Sequence, residues 1–368
     1  MWLGWTRLSA ILAVVIITLP SHAEEPAELQ FSRGELVAKW RGRIQSFLDR
    51  GELPLIDMET SFTGDQAAGE VIDNLALMDE LGVALTAPDG YQRAKDGKTK
   101  GYRWSTYILR LVNQHPDRFV PTTNGGTNKN WLQQKSGKSK HFIDQMQAQV
   151  RTGTYAHMGE FDFRHYMSNS QCKNDRTDRD SDIPLNSENG HRLFALAQET
   201  GAPFVIHLEP EDHALDALVE MLTAYPKAQV IVAHFGQIRH PGKERRFGPG
   251  LVRQLLNNHS NLYYDLAAGG PGRRYKCSEV AADTVIWDGP LNNQRAMLSP
   301  QYKAILSEFS SRFVMATDFG GGRKPFEYFM RAKVKTLRMI IHDLPEAARH
   351  NIAYRNAWKL LIGEAWGG

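Results

Sequence analysis

The chain reads as an α/β protein of the (β/α)8 class, a TIM barrel, and three observations carry that reading. Eight short apolar runs rich in β-branched residues alternate with helix-length amphipathic stretches between residues 53 and 341. The long polar insertions each follow a run and precede a helix, which puts them all on one face. Polar side chains close several runs, where strands buried on both faces should be apolar.

In order, the strands are expected at 53–58, 83–87, 119–123, 155–163, 203–207, 229–234, 261–266 and 312–317. Helical patterns follow at 66–81, 102–114, 141–151, 187–199, 214–224, 250–258, 300–309 and 325–341. Strict alternation implies parallel strands joined by right-handed crossovers, and eight such units close a barrel. A doubly wound open sheet is the structural rival; the lack of a Gly-x-Gly-x-x-Gly after the first run counts against it. The insertions lie at 89–101, 124–140, 164–186, 236–249 and 267–299, on the face where barrels place their chemistry.

With 368 residues, 42% hydrophobic and 23% charged, the chain can bury a large core, and disorder and a multi-span membrane protein are both excluded. Residues 1–23 read as a signal peptide: Arg7 gives the positive start, 8–19 a short apolar stretch, and Ser21 and Ala23 small residues at the cleavage positions. That stretch is short of the roughly 20 residues a spanning helix needs, so no stable membrane anchor is expected after cleavage. Residues 24–50 form a polar, helical lead-in, and 51–368 the barrel. The formal charge of +3 implies no nucleic-acid partner. A periplasmic or secreted location is an oxidising one, where Cys172 and Cys277, the only cysteines, either pair or stay as two thiols.

The strand ends are the informative places. Glu59 closes the first strand, His207 the fifth and His234 the sixth, and Asp318 follows the eighth. Any one of them alone is most simply a hydrogen-bonded residue ending a strand. Four converging on one mouth are about the number that holds a divalent metal, with carboxylate and imidazole suiting zinc or manganese.

From about residue 53 to residue 363 the chain resembles the amidohydrolase superfamily, in the branch that includes aminocarboxymuconate-semialdehyde and resorcylate decarboxylases. The resemblance is carried by Ile56-Asp57, by Met78-Asp79-Glu80-Leu81-Gly82-Val83 and by His115-Pro116-Asp117-Arg118-Phe119. It continues through Pro203-Phe204-Val205-Ile206-His207, Ile231-Val232-Ala233-His234-Phe235-Gly236, Thr317-Asp318 and the Asn351–Leu361 segment. It implies one divalent metal, zinc or manganese, on Glu59, His207 and Asp318, with water or Ser61 completing the set. The family's first strand usually ends in His-x-His; here Glu59-Thr60-Ser61 stands in its place, which resembles the Glu-x-His of decarboxylases at the first position only. Asp318 resembles the residue touching both metal and water, and His234 the catalytic acid/base, a task an imidazole suits. The fourth strand offers Glu160, with Arg164 beside it, where some members place a bridging lysine; both are assigned to the substrate side.

Gly269-Gly270-Pro271-Gly272-Arg273-Arg274 and Gly320-Gly321-Gly322-Arg323-Lys324 follow strands seven and eight, where many barrels hold phosphate. Arg273 and Arg323 are therefore expected to bind an anionic group, solvated loop charge being the plain alternative. Trp104, Trp131 and Trp287 either stack on a ring at the mouth or pack beneath loops. A disulfide between Cys172 and Cys277 would tie two insertions across the opening.

The reading that follows is an exported metal-dependent hydrolase of an amide, ester or lactone bond in a small acidic molecule. Its rivals are a non-oxidative decarboxylase (a lyase) of an aromatic or unsaturated acid, and a catalytically silent barrel that binds a ligand. Nothing in the sequence sets the oligomeric state, a homo-oligomer included.

Overall fold

In the computed structural model the described residues are 27–62, 64–90, 106–126, 142–235, 247–268, 274–275, 280–281, 286–288, 297–320 and 325–367. The signal-like segment lies outside them. Eight barrel strands are present: β1 (Leu55–Ser61), β2 (Val83–Asp89), β3 (Thr122–Thr123), β4 (His157–His165), β5 (Phe204–Leu208), β6 (Val230–Val232), β7 (Leu262–Asp265) and β8 (Phe313–Val314, resumed at Phe319–Gly320). All neighbouring pairs are parallel. β3 pairs with β4, β4 with β5, and so on to β7 with β8.

Closure runs through β1. Its Thr60 and Ser61 pair with Phe319 and Gly320, its Asp57 bridges Met315, and β2 reaches the third strand by a Thr86–Phe119 bridge. The single bridge between β2 and the third strand leaves the barrel less tightly laddered there than between β4 and β8. The (β/α)8 expectation is met, with shifted boundaries. The first strand begins at Leu55 rather than residue 53 and runs on to Ser61, and the expected 66–81 helix is broken at Asn74 into Gly64–Asp73 and Leu75–Glu80.

Strand interiors are filled by residues such as Ile56, Leu85, Val205, Ile231 and Val314, all fully buried. The lead-in forms the helix Arg33–Asp49, started by a capping box of Ser32 with Glu35. It buries Leu36, Trp40, Ile44 and Phe47, a stripe at helical spacing. Arg43 ties the helix to the amino-terminal end of β2 by donating to the Ala84 carbonyl at 2.7 Å and pairing with Asp79. The same Asp79 takes both arms of Arg118 at 2.7 and 2.8 Å. The amino-terminal end is thus held by apolar packing and ion pairs, and the carboxyl ends of the strands are left for polar groups. No helix of the described residues is long and apolar enough to cross a membrane.

Candidate active site

Midway along β4, Glu160 accepts two hydrogen bonds on one oxygen. Its Oε1 lies 2.8 Å from Nδ1 of His207, at the end of β5, and 3.1 Å from Nε2 of His234, just past β6. The two imidazole centroids are 4.6 Å apart. A carboxylate accepting from both rings fixes which ring nitrogens carry protons. Nε2 of His234 is also 3.5 Å from Oε1 of Glu59, and the backbone N–H of His234 donates to Oδ1 of Asp265 at 2.9 Å. Two sets of three ligand atoms therefore lie within 4.8 Å of one another: Glu160 with His207 and His234, and Glu59 with His234 and Asp265. Asp162, His165 and His207 form a third.

Backbone geometry serves this convergence. His234 and Asp318 both sit at positive φ, 58° and 45°, a conformation uncommon in residues other than glycine. Each lies where its chain turns out of the barrel. The turn at Asp318 lets its N–H donate to the Glu59 carbonyl at 2.9 Å, which locks β8 onto β1. Strained backbone of this kind persists only where surrounding contacts over-determine it.

Electrostatics divide the cluster. Burial, reinforced by Glu160, Asp265 and Asp318, holds the Glu59 carboxyl well above its ordinary range. Burial acts in the same direction on Glu160 but is outweighed by the hydrogen bonds and charges of His207 and His234, which hold it well below. For His234, burial works downward, yet the Glu160 hydrogen bond and the charges of Asp318, Glu160 and Asp265 bring it up to about 9. His234 Nδ1 is buried with no hydrogen-bond partner, and Glu59 Oε2 and Asp265 Oδ2 are buried with no N–H or hydroxyl donor, the two carboxyls being partners of each other only through a shared proton. Orphaned acceptors of that kind are costly in a protein interior, and a cation or shared proton compensates them.

That observation answers whether the residues suit the divalent metal implied by the strand-end pattern. Two imidazoles and a carboxylate at ligand spacing, with carboxylate oxygens lacking an N–H or hydroxyl donor alongside, are a fitting donor set for zinc or manganese.

The residues expected to hold the metal are only partly brought together. Glu59 and His207 fall in different triads, joined through His234. Asp318 is in none of the three; its carboxylate meets Lys333 Nζ at 3.4 Å while still lining the pocket beside Glu59 and Glu160. The Ser61 hydroxyl donates to Oδ1 of Asp89. Glu160, assigned to the substrate side, is the centre of the cluster. Arg164 is already engaged: its Nε pairs with Glu211 at 2.7 Å, its Nη1 with Asp180 and the Ser181 carbonyl at 2.9 Å, and its guanidinium covers the Tyr166 ring. Trp287 is packed into the core. Arg273, Arg323, Trp104 and Trp131 lie outside the described residues. Cys172 is disulfide-bonded, while Cys277 lies outside them too.

Sequence reasoning missed Asp265, Asp89 and the buried histidines His157 and His165. The rule that found Glu59 and His207 applies equally to Asp265, which closes the apolar Leu262-Tyr263-Tyr264. Asp89, the first residue of an expected insertion, is the last residue of β2.

A search of curated proteins finds no match. Among solved structures, a dihydroxybenzoic acid decarboxylase from Polaromonas sp. JS666, with bound manganese and 2-nitroresorcinol, is 13% identical; the match covers 85% of this chain and 98% of that one, TM-score 0.48. A 5-carboxyvanillate decarboxylase from Sphingomonas paucimobilis is 12% identical over 84% and 99%, TM-score 0.45. A dihydroorotase from Campylobacter jejuni is 10% identical over 85% and 84%, TM-score 0.43. Likeness at that level carries no functional argument. The sequence model described as "Amidohydrolase" matches residues 157–361, more than half of the chain and the stretch that supplies Glu160, His207, His234, Asp265 and Asp318, and this chain therefore belongs to the amidohydrolase family.

Proposed function

We propose that the protein is a metal-dependent hydrolase of a carboxyl-derived bond (amide, ester or lactone) in a small molecule. The observation that carries this reading is the single Glu160 oxygen shared by His207 and His234 beside buried carboxylate oxygens that lack an N–H or hydroxyl donor. Glu160, His207 and His234 would hold the metal, with Glu59 and Asp265 next to it. When bound, a divalent ion there supplies Lewis-acid polarisation of a carbonyl and a lowered water pKa.

The chain's own groups then divide the remaining work. His234 stands at ligand spacing, so proton movement falls to Glu59 and Asp318, whose carboxyls line the same pocket. Glu59, whose carboxyl is pushed well above its ordinary range by burial and by the neighbouring acids, would donate to a leaving group, and Asp318, beside Lys333, would accept from water. The buried apolar residues Met58 and Ala87 in the pocket limit bulk water.

Non-oxidative decarboxylation is the second reading, favoured by Glu59 in the first-strand position. The expectation of an acidic substrate rests on Arg273 and Arg323, in loops outside the described residues; Arg164, assigned to the substrate side, is internally paired. Export remains part of the proposal, supported by the residue 1–23 pattern and by the disulfide at Cys172.

Metal analysis of natively purified protein, followed by a panel of amides, esters, lactones and aromatic acids, tests both readings. Stoichiometric zinc or manganese with acid release supports hydrolysis, and carbon dioxide release selects the lyase. Protein without metal that gains no activity from added zinc or manganese is a ligand-binding barrel instead.

A further inference from the structure

The pocket in front of Glu160 has a wall that the proposed chemistry does not use. Of the space lined by Glu59, Ser61, Asp89, His157, Glu160 and Asp318, about 20 Å3 and so the size of one small polar head group, the side formed by β2 and the start of β4 carries Asp89 and His157. Asp89 is buried, 4% exposed, and its carboxylate accepts from the Ser61 hydroxyl and the Gly125 backbone N–H. Two glycines make room for it. A Cβ on Gly125 would meet the Glu160 carbonyl oxygen at 1.9 Å and Asp89 Oδ2 at 2.9 Å, and one on Gly159 would meet Asp89 Cβ at 2.6 Å. Contacts under 3.0 Å with backbone leave no room for another residue, so this carboxylate has a specific seat.

His157 supplies the second, independent observation. It is 0% exposed, lines the same pocket, and neither ring nitrogen has a hydrogen-bond partner. Burial keeps it neutral, with a pKa of about 3. A neutral imidazole offers one donor and one acceptor, whereas Asp89, Glu59, Glu160 and Asp318 offer acceptors only when ionised.

We infer that Asp89 is a substrate-binding residue that accepts from a primary ammonium group carried next to the scissile carbonyl, which makes the substrate an aminoacyl amide, ester or lactone. This deepens the hydrolase reading and borrows its pocket. A buried carboxylate that shares its pocket with Glu59, Glu160 and Asp318 has an unmet demand for positive charge, and an ammonium with three donors meets several acceptors at once. The Asp89 carboxyl, pushed up to about 7 chiefly by burial, reports the same shortage.

The test uses full-length, metal-loaded protein and propylammonium as the probe, with propanol as its neutral counterpart, followed by ligand-observed NMR. Saturable propylammonium binding is expected, weakened at least tenfold in Asp89→Asn and tightened in Ser61→Ala, which removes the hydroxyl competing for the carboxylate. Equal binding of propanol, or binding unchanged in both variants, overturns the inference. So does a loss of bound metal in folded Asp89→Asn, which would make Asp89 a metal ligand. If Asp89→Asn does not fold, Ser61→Ala decides, and weaker or unaltered binding there counts against. In parallel, kcat/KM for alanine 4-nitroanilide should exceed that for propionyl 4-nitroanilide at least tenfold, and Asp89→Asn should erase the difference. Turnover of both without preference overturns the inference and leaves the hydrolase reading standing. Ammonium binding that depends on Asp89, with no turnover of either, sinks the hydrolase reading and leaves Asp89 as a binding residue.

Discussion

The two sides of the barrel mouth are built on opposite electrostatic plans. On the β4–β6 side, acids and bases are matched: Glu160 serves His207 and His234, Arg164 serves Glu211 and Asp180, and Arg179 meets Asp162 at 2.9 Å. On the β1–β2 side, acids crowd together with few bases. Asp57, Glu59 and Asp89 are all buried and all shifted up, and their relief comes mainly from hydroxyl and backbone donors such as Thr317 and Ser61. A matched wall can hold its charges without help, whereas an acid-rich one needs protons, a cation or a ligand.

Glu160→Gln should give the largest effect, because the carboxylate that serves two buried rings loses its charge. Activity on any substrate found should fall by roughly 10²- to 10⁴-fold and bound metal should drop with it. Asp318→Asn should lower activity while metal content stays. Equal metal loss in both would show that the two sides form one ligand set and would break the comparison.

Arg164→Ala should destabilise by about 3–5 kcal/mol, the cost of breaking a buried ion pair, and leave KM unchanged in the folded fraction. A raised KM with unaltered urea denaturation would restore Arg164 to the substrate.

On the acid-rich side, Asp57 accepts from the Thr317 N–H at 2.8 Å and the Thr317 hydroxyl at 2.7 Å, tying β1 to β8. Asp57→Ala should therefore cost about 1–3 kcal/mol by orphaning buried donors, visible as a lower Tm. A neutral result would mean that the seam is held by its backbone bridges alone.

The last effect appears only as a pH slope. His157 has a folded pKa of about 3, below the unfolded value, so between pH 6.5 and 3 the unfolded chain binds a proton that the folded one refuses. Its contribution is present above pH 6.5 and lost on acidification, by about 1.4 kcal/mol per pH unit. His157→Gln should flatten that part of the stability curve from urea melts at pH 5 and 7; an unchanged slope would mean His157 is not held neutral.

Much of this was legible in the chain. Alternation of apolar runs with amphipathic stretches is a local property, and it placed all eight strands within a few residues. Strand-end polarity singled out Glu59, His207, His234 and Asp318, because a parallel barrel leaves such residues one place to go. Grouping was harder to read. Whether Glu160 faces two histidines or Arg164 depends on how far β4 is advanced relative to β5, and that register shifts twice, between Met158 and Phe161 and between Asp162 and Arg164. A one-residue shift swaps which side chains enter the barrel.

By itself, then, the sequence determined the barrel, its active face and the residue types that meet there, since periodicity and strand-end chemistry are written in neighbouring letters. Tertiary structure alone decided that Glu160 is the hub, that Arg164 is paired elsewhere, and that Ser61 turns to Asp89 in a seat cleared by Gly125 and Gly159. Those outcomes depend on distances of a few ångströms between strands far apart in the chain, which are fixed by register, closure of the barrel and close packing, none of them a local property.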